Sequence, residues 1–158
     1  MSEAKEGKLP QSSEKEFRRA KPIIKFMSKA QAWVYQVSGG RLGGKFLHGA
    51  PVGLLTTVGR KSGQKRTTPL IYIPDGENVI AIASQGGMPR HPVWYLNLQA
   101  NPEAEYQVGG ELRKVRAREV EGDEKEACWR LAQDIYPDFD DYQRRTDRTI
   151  PLLVLEPR

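Results

Sequence analysis

The sequence predicts an α+β fold in which about six mainly antiparallel strands close into a small barrel flanked by three helices. Its 158 residues, 38% of them hydrophobic, are enough for one domain with a single core. Turn signals at 74–76 (Pro-Asp-Gly) and 109–110 (Gly-Gly) join short β-type segments into hairpins, which indicates a meander without crossovers. Six short antiparallel strands in a chain of this size most readily close on themselves.

The N-terminal part is predicted to lie outside the barrel. Residues 1–20 are polar and charged, and we interpret them as a flexible arm. Residues 21–40 carry apolar side chains at helical spacing and end at a Gly-Gly pair, which predicts an amphipathic helix with lysines on its opposite face. Such a helix either covers the core, the simpler interpretation, or lies on an anionic membrane. Residues 41–158 then form the barrel domain.

The elements of the barrel follow from the pattern of apolar residues. Pro69 suggests that the second strand lies at an edge or contains a bulge. Cys128 lies on the apolar face of the last helix and is expected to be an inert buried thiol. The segment 138–149 is predicted to be a polar aromatic loop. The predicted strands are 52–58, 66–73, 78–84, 103–108, 111–120 and 150–157, and the predicted helices are 93–101 and 123–135.

Composition restricts the possible functions. A net charge of +5 and a pI of about 9.4 favour an anionic ligand or surface. One cysteine excludes a disulfide framework, and two histidines far apart in sequence argue against a metal site, so we predict no metal. No apolar run reaches the length that spans a bilayer, and no leader peptide is recognisable, so a cytoplasmic location is expected.

A basic turn follows the first strand. Gly59 and Gly63 enclose Arg60, Lys61 and Ser62. Glycines that expose backbone N–H groups beside cations can form a nest for a phosphate, although the spacing is not that of a Walker loop. A solvated basic turn explains the residues equally well.

A second cluster follows the strand at 78–84. Ser84 and a Gly-Gly pair at the strand end would allow a flat ligand to approach the backbone. Arg90 and His91 come next, and Trp94 and Tyr95 could line a ring pocket. From the residues alone, a core role for the two aromatic side chains is the simpler interpretation.

Three segments in this order, "LLTTVGRKSGQKRTTPL", "ASQGGMPRHPVWYLNLQANP" and "IYPDFDDYQRRTDRTIPLLVLEP", resemble the deazaflavin-dependent nitroreductase family, small actinobacterial oxidoreductases that use coenzyme F420. The resemblance runs from about Gly39 to the C-terminus. It implies a split β-barrel and an F420H2-dependent enzyme that transfers a hydride to a hydrophobic acceptor such as a quinone, an enone or a nitroaromatic compound. If the acceptor were menaquinone, the N-terminal helix would have a reason to contact a membrane.

The resemblance also implies site residues. Ser84 would hydrogen-bond the substrate group that gains charge, Tyr136 and Tyr142 would shape or close the site, and the proton would come from a tyrosine or from water. The coenzyme's phosphate and glutamyl tail would be held by Arg60, Lys61, Ser62, Arg66, Thr67 and Thr68. The deazaflavin would be lined by Pro69, Leu70, Ile71, Ile82, Ala83, Ser84, Gln85, Val93, Trp94, Tyr95, Leu96, Asn97 and Gln143.

Two departures from the family pattern and two alternatives complete the prediction. Phe139 and Ile71 stand where the pattern has a tyrosine and an aromatic residue, which makes bicyclic nitroimidazole prodrugs less expected as substrates. One alternative is an FMN-binding reductase on the same barrel. The other is a basic barrel that binds single-stranded nucleic acid, which the position of the aromatic residues beside loops disfavours. A monomer and a homodimer are both compatible with the sequence.

Overall fold

The computed structural model describes residues 50–158, so the predicted arm at 1–20 and the predicted helix at 21–40 lie outside the described residues. Seven strands are present in this part of the chain: β1 (Val52–Val58), β2 (Lys65–Ile71), β3 (Ile73–Asp75), β4 (Asn78–Ile82), β5 (Glu103–Val108), β6 (Glu111–Glu119) and β7 (Leu152–Pro157). The helices are α1 (Val93–Ala100), α2 (Gly122–Ile135) and α3 (Phe139–Arg144), and Gln85–Gly87 forms a 3₁₀ turn.

The strands form one antiparallel sheet in the order β2-β1-β5-β6-β7-β4-β3, with helices packed against it. The α+β class and the hairpins β3–β4 and β5–β6 are as predicted. The meander is wrong, because β5 pairs with β1 and β7 lies between β6 and β4. These pairings join segments far apart in sequence, which no turn signal reveals.

The prediction of six strands is also wrong, because the segment expected to be one strand at 66–73 is two. Ile71 ends β2 opposite Val52, whereas Ile73 begins β3 opposite Ile80. Between them, the Tyr72 N–H donates to the carbonyl oxygen of Pro51 at 2.8 Å. The chain therefore passes directly from one edge of the sheet to the other at Tyr72, and the sheet curls. Strand β2, which contains Pro69, is an edge strand as predicted.

The predicted loop at 138–149 contains the short helix α3. Asp140 and Asp141 lie in its first turn and Arg144 in its last, an arrangement that the helix dipole favours. Trp129 of α2 donates from Nε1 to Oδ1 of Asp140 at 2.8 Å. Packing against α2 therefore stabilises a helix that is too short and polar to be recognised from its sequence.

Two hydrophobic cores lie on opposite faces of the sheet. On β7, Leu152 and Val154 face a first core closed by α2 and α3, while Leu153 and Leu155 face a second core closed by α1. Cys128 is buried in the first core, where burial raises the pKa of its thiol, in agreement with the expected inert cysteine. Within residues 50–158, no helix is long and apolar enough to cross a membrane.

Candidate functional site

The basic turn between β1 and β2 has a defined backbone. The Gly59 N–H donates to the carbonyl oxygen of Gln64, and the Gly63 N–H donates to that of Gly59, each at 2.8 Å. Ser62 Oγ accepts from the Gln64 N–H at 3.2 Å. Gly63 has φ of +70°, which other residues adopt only with strain. The local sequence thus fixes a tight turn that displays its side chains to solvent.

The cations of the turn are available to a ligand. Lys65 forms an ion pair with Glu105 at 3.2 Å. By contrast, Arg60, Lys61 and Arg66 are exposed, and none of the three forms an ion pair with another residue of the 50–158 region. Three exposed cations so close together, without an acidic partner in this part of the chain, attract an anion carrying more than one charge.

Asn97 joins the turn to α1. Its Oδ1 accepts from the Arg60 N–H and its Nδ2 donates to Thr57 Oγ1, each at 3.1 Å. Asn97 and Thr57 are both buried. The Asn97 side chain therefore holds the basic turn against the helix, and its predicted contact with the coenzyme stays a prediction.

The register of β2 divides the predicted tail-binding residues between two faces. Thr68 and Tyr106 lie opposite Leu55, so Thr68 faces the second core, whereas Thr67 bonds Thr56 through the two hydroxyls at 2.8 Å on the other face. Because strand side chains alternate, Arg66 shares the face of Thr68. Further along the strand, Leu70 packs on the second core and Ile71 on the first, and Pro69 is half-buried.

The loop after β4 is strained and closely packed. Gln85, Gly86 and Gly87 have φ of +45°, +64° and +77°. A Cβ on Gly87 would lie 2.5 Å from the carbonyl oxygen of Tyr142, so only glycine fits there. Ser84 is buried, and the buried Gln85 Oε1 has no hydrogen-bond partner among the described residues. Strain together with an unsatisfied buried acceptor is typical of a ligand site.

Arg148, which the sequence analysis missed, holds this loop in place. Its Nη2 donates to the carbonyl oxygens of Ala83 at 3.1 Å and Ser84 at 2.7 Å, and its Nε donates to that of Met88 at 2.9 Å. Its Nη1 lies 3.0 Å from His91 Nδ1. All of these partners precede Arg148 by more than 50 residues in the sequence, so no local pattern signals the role.

His91 and Tyr95 extend the network towards β6. Their ring centroids are 4.9 Å apart, and the Tyr95 hydroxyl donates to the Glu119 carboxylate at 3.0 Å. Burial, followed by the charge of Arg148, lowers the pKa of His91, although Glu119 partly opposes the shift. Burial and the hydrogen bond to Glu119 raise the pKa of Tyr95 to about 12.

Tyr136 and Tyr142 lie together, with hydroxyl oxygens 2.7 Å apart. Tyr136 is buried in the first core, and burial raises the pKa of its hydroxyl. Tyr142 is half-buried on α3, beside Gly87. The amide of Gln143 bridges the Arg148 carbonyl and the Ile150 N–H at 2.9 and 3.0 Å, so it orders the segment before β7.

Helix α1 connects the two predicted binding regions. The strained loop, with His91, leads into its N-terminus, where Val93 is exposed. Asn97, one turn further along, contacts the basic turn. Trp94 and Tyr95 are buried in the second core and Leu96 packs against it, in agreement with the core role inferred from the residues alone. Ile82 and Ala83 are likewise buried, in the first and second cores.

Most of the chain is similar to known proteins. Residues 27–157 match the F420H(2)-dependent quinone reductase family. A Mycobacterium tuberculosis protein named "Putative F420H(2)-dependent quinone reductase Rv3178" is 43% identical over 118 residues, which cover 75% of this chain and 99% of that protein. The F420H(2)-dependent quinone reductase Rv1261c of the same species is 38% identical over 128 residues, covering 79% of this chain and 86% of the relative.

Two solved structures are also similar. The F420-H2 dependent reductase FDR-A is 44% identical with a TM-score of 0.64, and the match covers 67% of this chain and 94% of FDR-A. A protein described as a domain-swapped dimer is 34% identical with a TM-score of 0.67, and the match covers 91% of this chain and 100% of that one.

The protein is an oxidoreductase that uses a deazaflavin coenzyme, as its relatives and its curled antiparallel sheet with a cationic turn together indicate. The chain belongs to the F420H(2)-dependent quinone reductase family. The predictions of an F420H2-dependent enzyme and of coenzyme F420 are thereby confirmed, and nothing in the comparisons supports FMN. The roles of the individual residues stay predictions.

Proposed function

We propose that the chain binds F420H2 with the coenzyme's phosphate and glutamyl tail on the basic turn and its ring system along residues 82–87 and α1, and that it reduces a quinone. The observation that supports this most directly is that Arg60 and Lys61, on a turn that Asn97 fixes to α1, and the nearby Arg66 of β2 have no ion-pair partner among residues 50–158. A phosphate followed by several carboxylates requires several cations at one place.

The described residues fit this coenzyme at both of its ends. The exposed cations and the Ser62 hydroxyl of the basic turn suit the anionic tail. At the other end, Gln85 Oε1 is a buried acceptor that finds no donor among residues 50–158, and the pyrimidine edge of a deazaflavin carries an N–H group that could supply one. A buried acceptor satisfied only on binding would favour the loaded state.

The residues of the loop would orient the coenzyme rather than react with it. When bound, the reduced coenzyme supplies the hydride. The buried Ser84 would place its hydroxyl near the acceptor oxygen that gains charge. Tyr142, packed on Gly87 and bonded to Tyr136, would form one wall of the acceptor pocket and exclude water.

A quinone is the acceptor class that we favour. Relatives at 43% and 38% identity are named quinone reductases. Phe139 is buried, with its ring centroid 5.1 Å from that of Tyr136 and 6.4 Å from that of Trp129. The aromatic group beside Tyr142 therefore carries one hydroxyl fewer than the nitroreductase pattern, which suits an apolar ring.

We further propose that the curled sheet is a split barrel and that the protein forms a homodimer. The direct passage from β2 to β3 at Tyr72 supports closure of the sheet. The domain-swapped relative, matched along its whole length, supports the dimer. Light scattering of the purified protein distinguishes a dimer from a monomer.

The experiment that tests the coenzyme site removes two cations from the turn. We expect Arg60→Ala/Lys61→Ala to weaken F420 binding on the order of tenfold or more, because two charge-assisted contacts are lost. The loss should grow with the length of the glutamyl tail. Quenching of F420 fluorescence on titration with protein measures the affinity.

The matched control is Lys114→Ala/Arg116→Ala on β6, which removes the same charge from exposed positions of another strand. If both double variants bound F420 equally well, the tail would lie elsewhere. If the wild-type protein did not bind F420 at micromolar concentration, the proposed function itself would be wrong.

A further inference from the structure

We propose that His91 is a neutral hydrogen-bond donor, fixed in its tautomer by Arg148, for a carbonyl oxygen of a bound ligand. The proposal rests on the proposed function, since the ligand is either the deazaflavin ring or the quinone. Arg148 was not predicted, and His91 lies in the second cluster of the sequence analysis but not among the predicted site residues.

The contact between the two side chains determines which ring nitrogen carries the proton. Arg148 Nη1 lies 3.0 Å from His91 Nδ1. A guanidinium is always charged in proteins and can only donate, so Nδ1 must accept. The imidazole proton of His91 therefore sits on Nε2.

The surroundings of His91 keep the ring neutral. A protonated ring would place an Nδ1–H group against the Arg148 N–H and lose their hydrogen bond. Burial and the charge of Arg148 both lower the pKa of His91. The ring lies against Tyr95, which is neutral because its hydroxyl donates to Glu119. Among the described residues, Glu119 is the one charge that raises the pKa of His91.

The Nε2–H group is left for a ligand. Within residues 50–158, it forms no hydrogen bond. The guanidinium that binds His91 also binds the carbonyl oxygens of Ala83 and Ser84, so His91 lies beside the strained loop. The same loop carries the unsatisfied acceptor Gln85 Oε1. The region thus presents a donor and an acceptor, neither of which has a partner in the described part of the chain.

The first test measures the tautomer directly. The chain has two histidines, His48 and His91, so long-range ¹⁵N–¹H spectra contain two rings, and a His48→Gln variant assigns them. We expect the His91 proton on Nε2, a neutral ring down to a lower pH than an ordinary histidine, and a shift of the Nε2 signal when F420 or a soluble quinone is added. A proton on Nδ1 in the wild-type protein would overturn the proposal.

The second test separates the two ring nitrogens by substitution. The amide nitrogen of glutamine can occupy the position of Nε2, whereas that of asparagine corresponds to Nδ1. We expect His91→Gln to stay within a few-fold of wild type and His91→Asn and His91→Phe to lose about tenfold, the phenylalanine keeping the contact with Tyr95. Circular dichroism checks that each variant folds.

The quantity that changes identifies the ligand. Weaker F420 binding in the asparagine and phenylalanine variants assigns the carbonyl to the coenzyme. A raised KM for the quinone with unchanged F420 affinity assigns it to the acceptor. If all three folded variants matched wild type in F420 affinity and in KM for the quinone, or if all three were impaired to the same extent, the donor role would be wrong while the proposed function stood. If wild type bound neither ligand, both proposals would fall.

Discussion

At the scale of single residues, Asn97 links the coenzyme's proposed anion site to the scaffold. Its carboxamide is occupied by the Arg60 N–H and the Thr57 hydroxyl, and both Asn97 and Thr57 are buried. Removing the partner of a buried polar group lowers the free energy of unfolding by about 1–3 kcal/mol. The residue therefore contributes to stability and to the position of the turn at once.

We expect Asn97→Ala to lower the free energy of unfolding by about 1–3 kcal/mol and to weaken F420 binding. Urea unfolding and fluorescence titration measure the two effects. Gln99→Ala is the control, because Gln99 is exposed on the same helix and its side chain donates to the Tyr95 hydroxyl and not to the basic turn. A loss of stability without a loss of affinity would mean that the turn finds its position without Asn97.

Tyr95 should make stability depend on pH under alkaline conditions. Its pKa is raised from 10.0 to about 12 in the folded protein, so the folded state keeps a proton that the unfolded state releases. The stabilisation is therefore complete below pH 10 and is lost as the pH rises from 10 towards 12. We expect the stability difference between wild type and Tyr95→Phe to fall over this range in urea unfolding experiments.

A Glu119→Gln variant serves as the control for the Tyr95 prediction. It removes the carboxylate that helps to raise the pKa of Tyr95, so the alkaline loss should end at a lower pH. A difference between wild type and Tyr95→Phe that stayed constant from pH 9 to 12 would contradict the raised pKa of Tyr95.

The sequence could predict the environment of a single residue where its neighbours in the sequence determine that environment. Cys128 was placed correctly because an apolar helical face buries its thiol. Arg148 could not be found, because an arginine in a polar loop is ordinarily solvated and its partners are carbonyl oxygens of a distant loop. Nor does the sequence reveal that the Gln143 amide bonds the backbone of the segment before β7, and its contact with the coenzyme stays a prediction.

At the scale of elements, the 3₁₀ turn Gln85–Gly87 depends on its contact with α3. Gly86 and Gly87 both have positive φ, but a Cβ at Gly87 would meet the Tyr142 carbonyl and Arg145, whereas one at Gly86 would meet no atom of residues 50–158 within 4 Å. The two neighbouring glycines therefore separate the cost of the backbone conformation from the cost of a lost contact.

We expect Gly86→Ala to cost about 1–2 kcal/mol, the penalty of a left-handed conformation. Gly87→Ala should cost about 2–4 kcal/mol, because it also pushes α3 away from the loop. Urea unfolding measures both, and quinone reduction should fall further in the second variant because Tyr142 moves. Equal effects of the two substitutions would show that the packing of α3 on the turn contributes little.

Strands β2 and β3 show where element prediction reaches its limit. Residues 66–73 form an uninterrupted β-type segment after the basic turn, and Pro69 correctly indicated an edge strand. The break at Tyr72 has no sequence signal, because it arises where Ile71 pairs with Val52 of β1 and Ile73 pairs with Ile80 of β4, two strands that lie next to opposite edges of the curled sheet. Partners distant in sequence thus decide where one strand ends and the next begins.

At the scale of the whole molecule, the two cores share strands β4 and β7. Strand β7 sends Leu152 and Val154 into one core and Leu153 and Leu155 into the other, and β4 divides its side chains in the same way. When a strand is buried on both faces, its side chains alternate between two cores, but an unbroken apolar run such as 152–155 gives no sign of this alternation. The sequence therefore indicated one core where the structure has two.

Because β4 and β7 are common to both cores, neither core can lose its packing without exposing the back of the other. We expect Leu152→Ala and Leu153→Ala, neighbours on opposite faces, each to lower the free energy of unfolding by about 2–5 kcal/mol. Each variant should unfold in one transition with an unchanged dependence on urea. Parallel measurement by circular dichroism and by tryptophan fluorescence tests this, since Trp94 lies in the second core and Trp129 against the first. Two separated transitions in either variant would mean that the helices on the two faces stabilise independent halves of the fold.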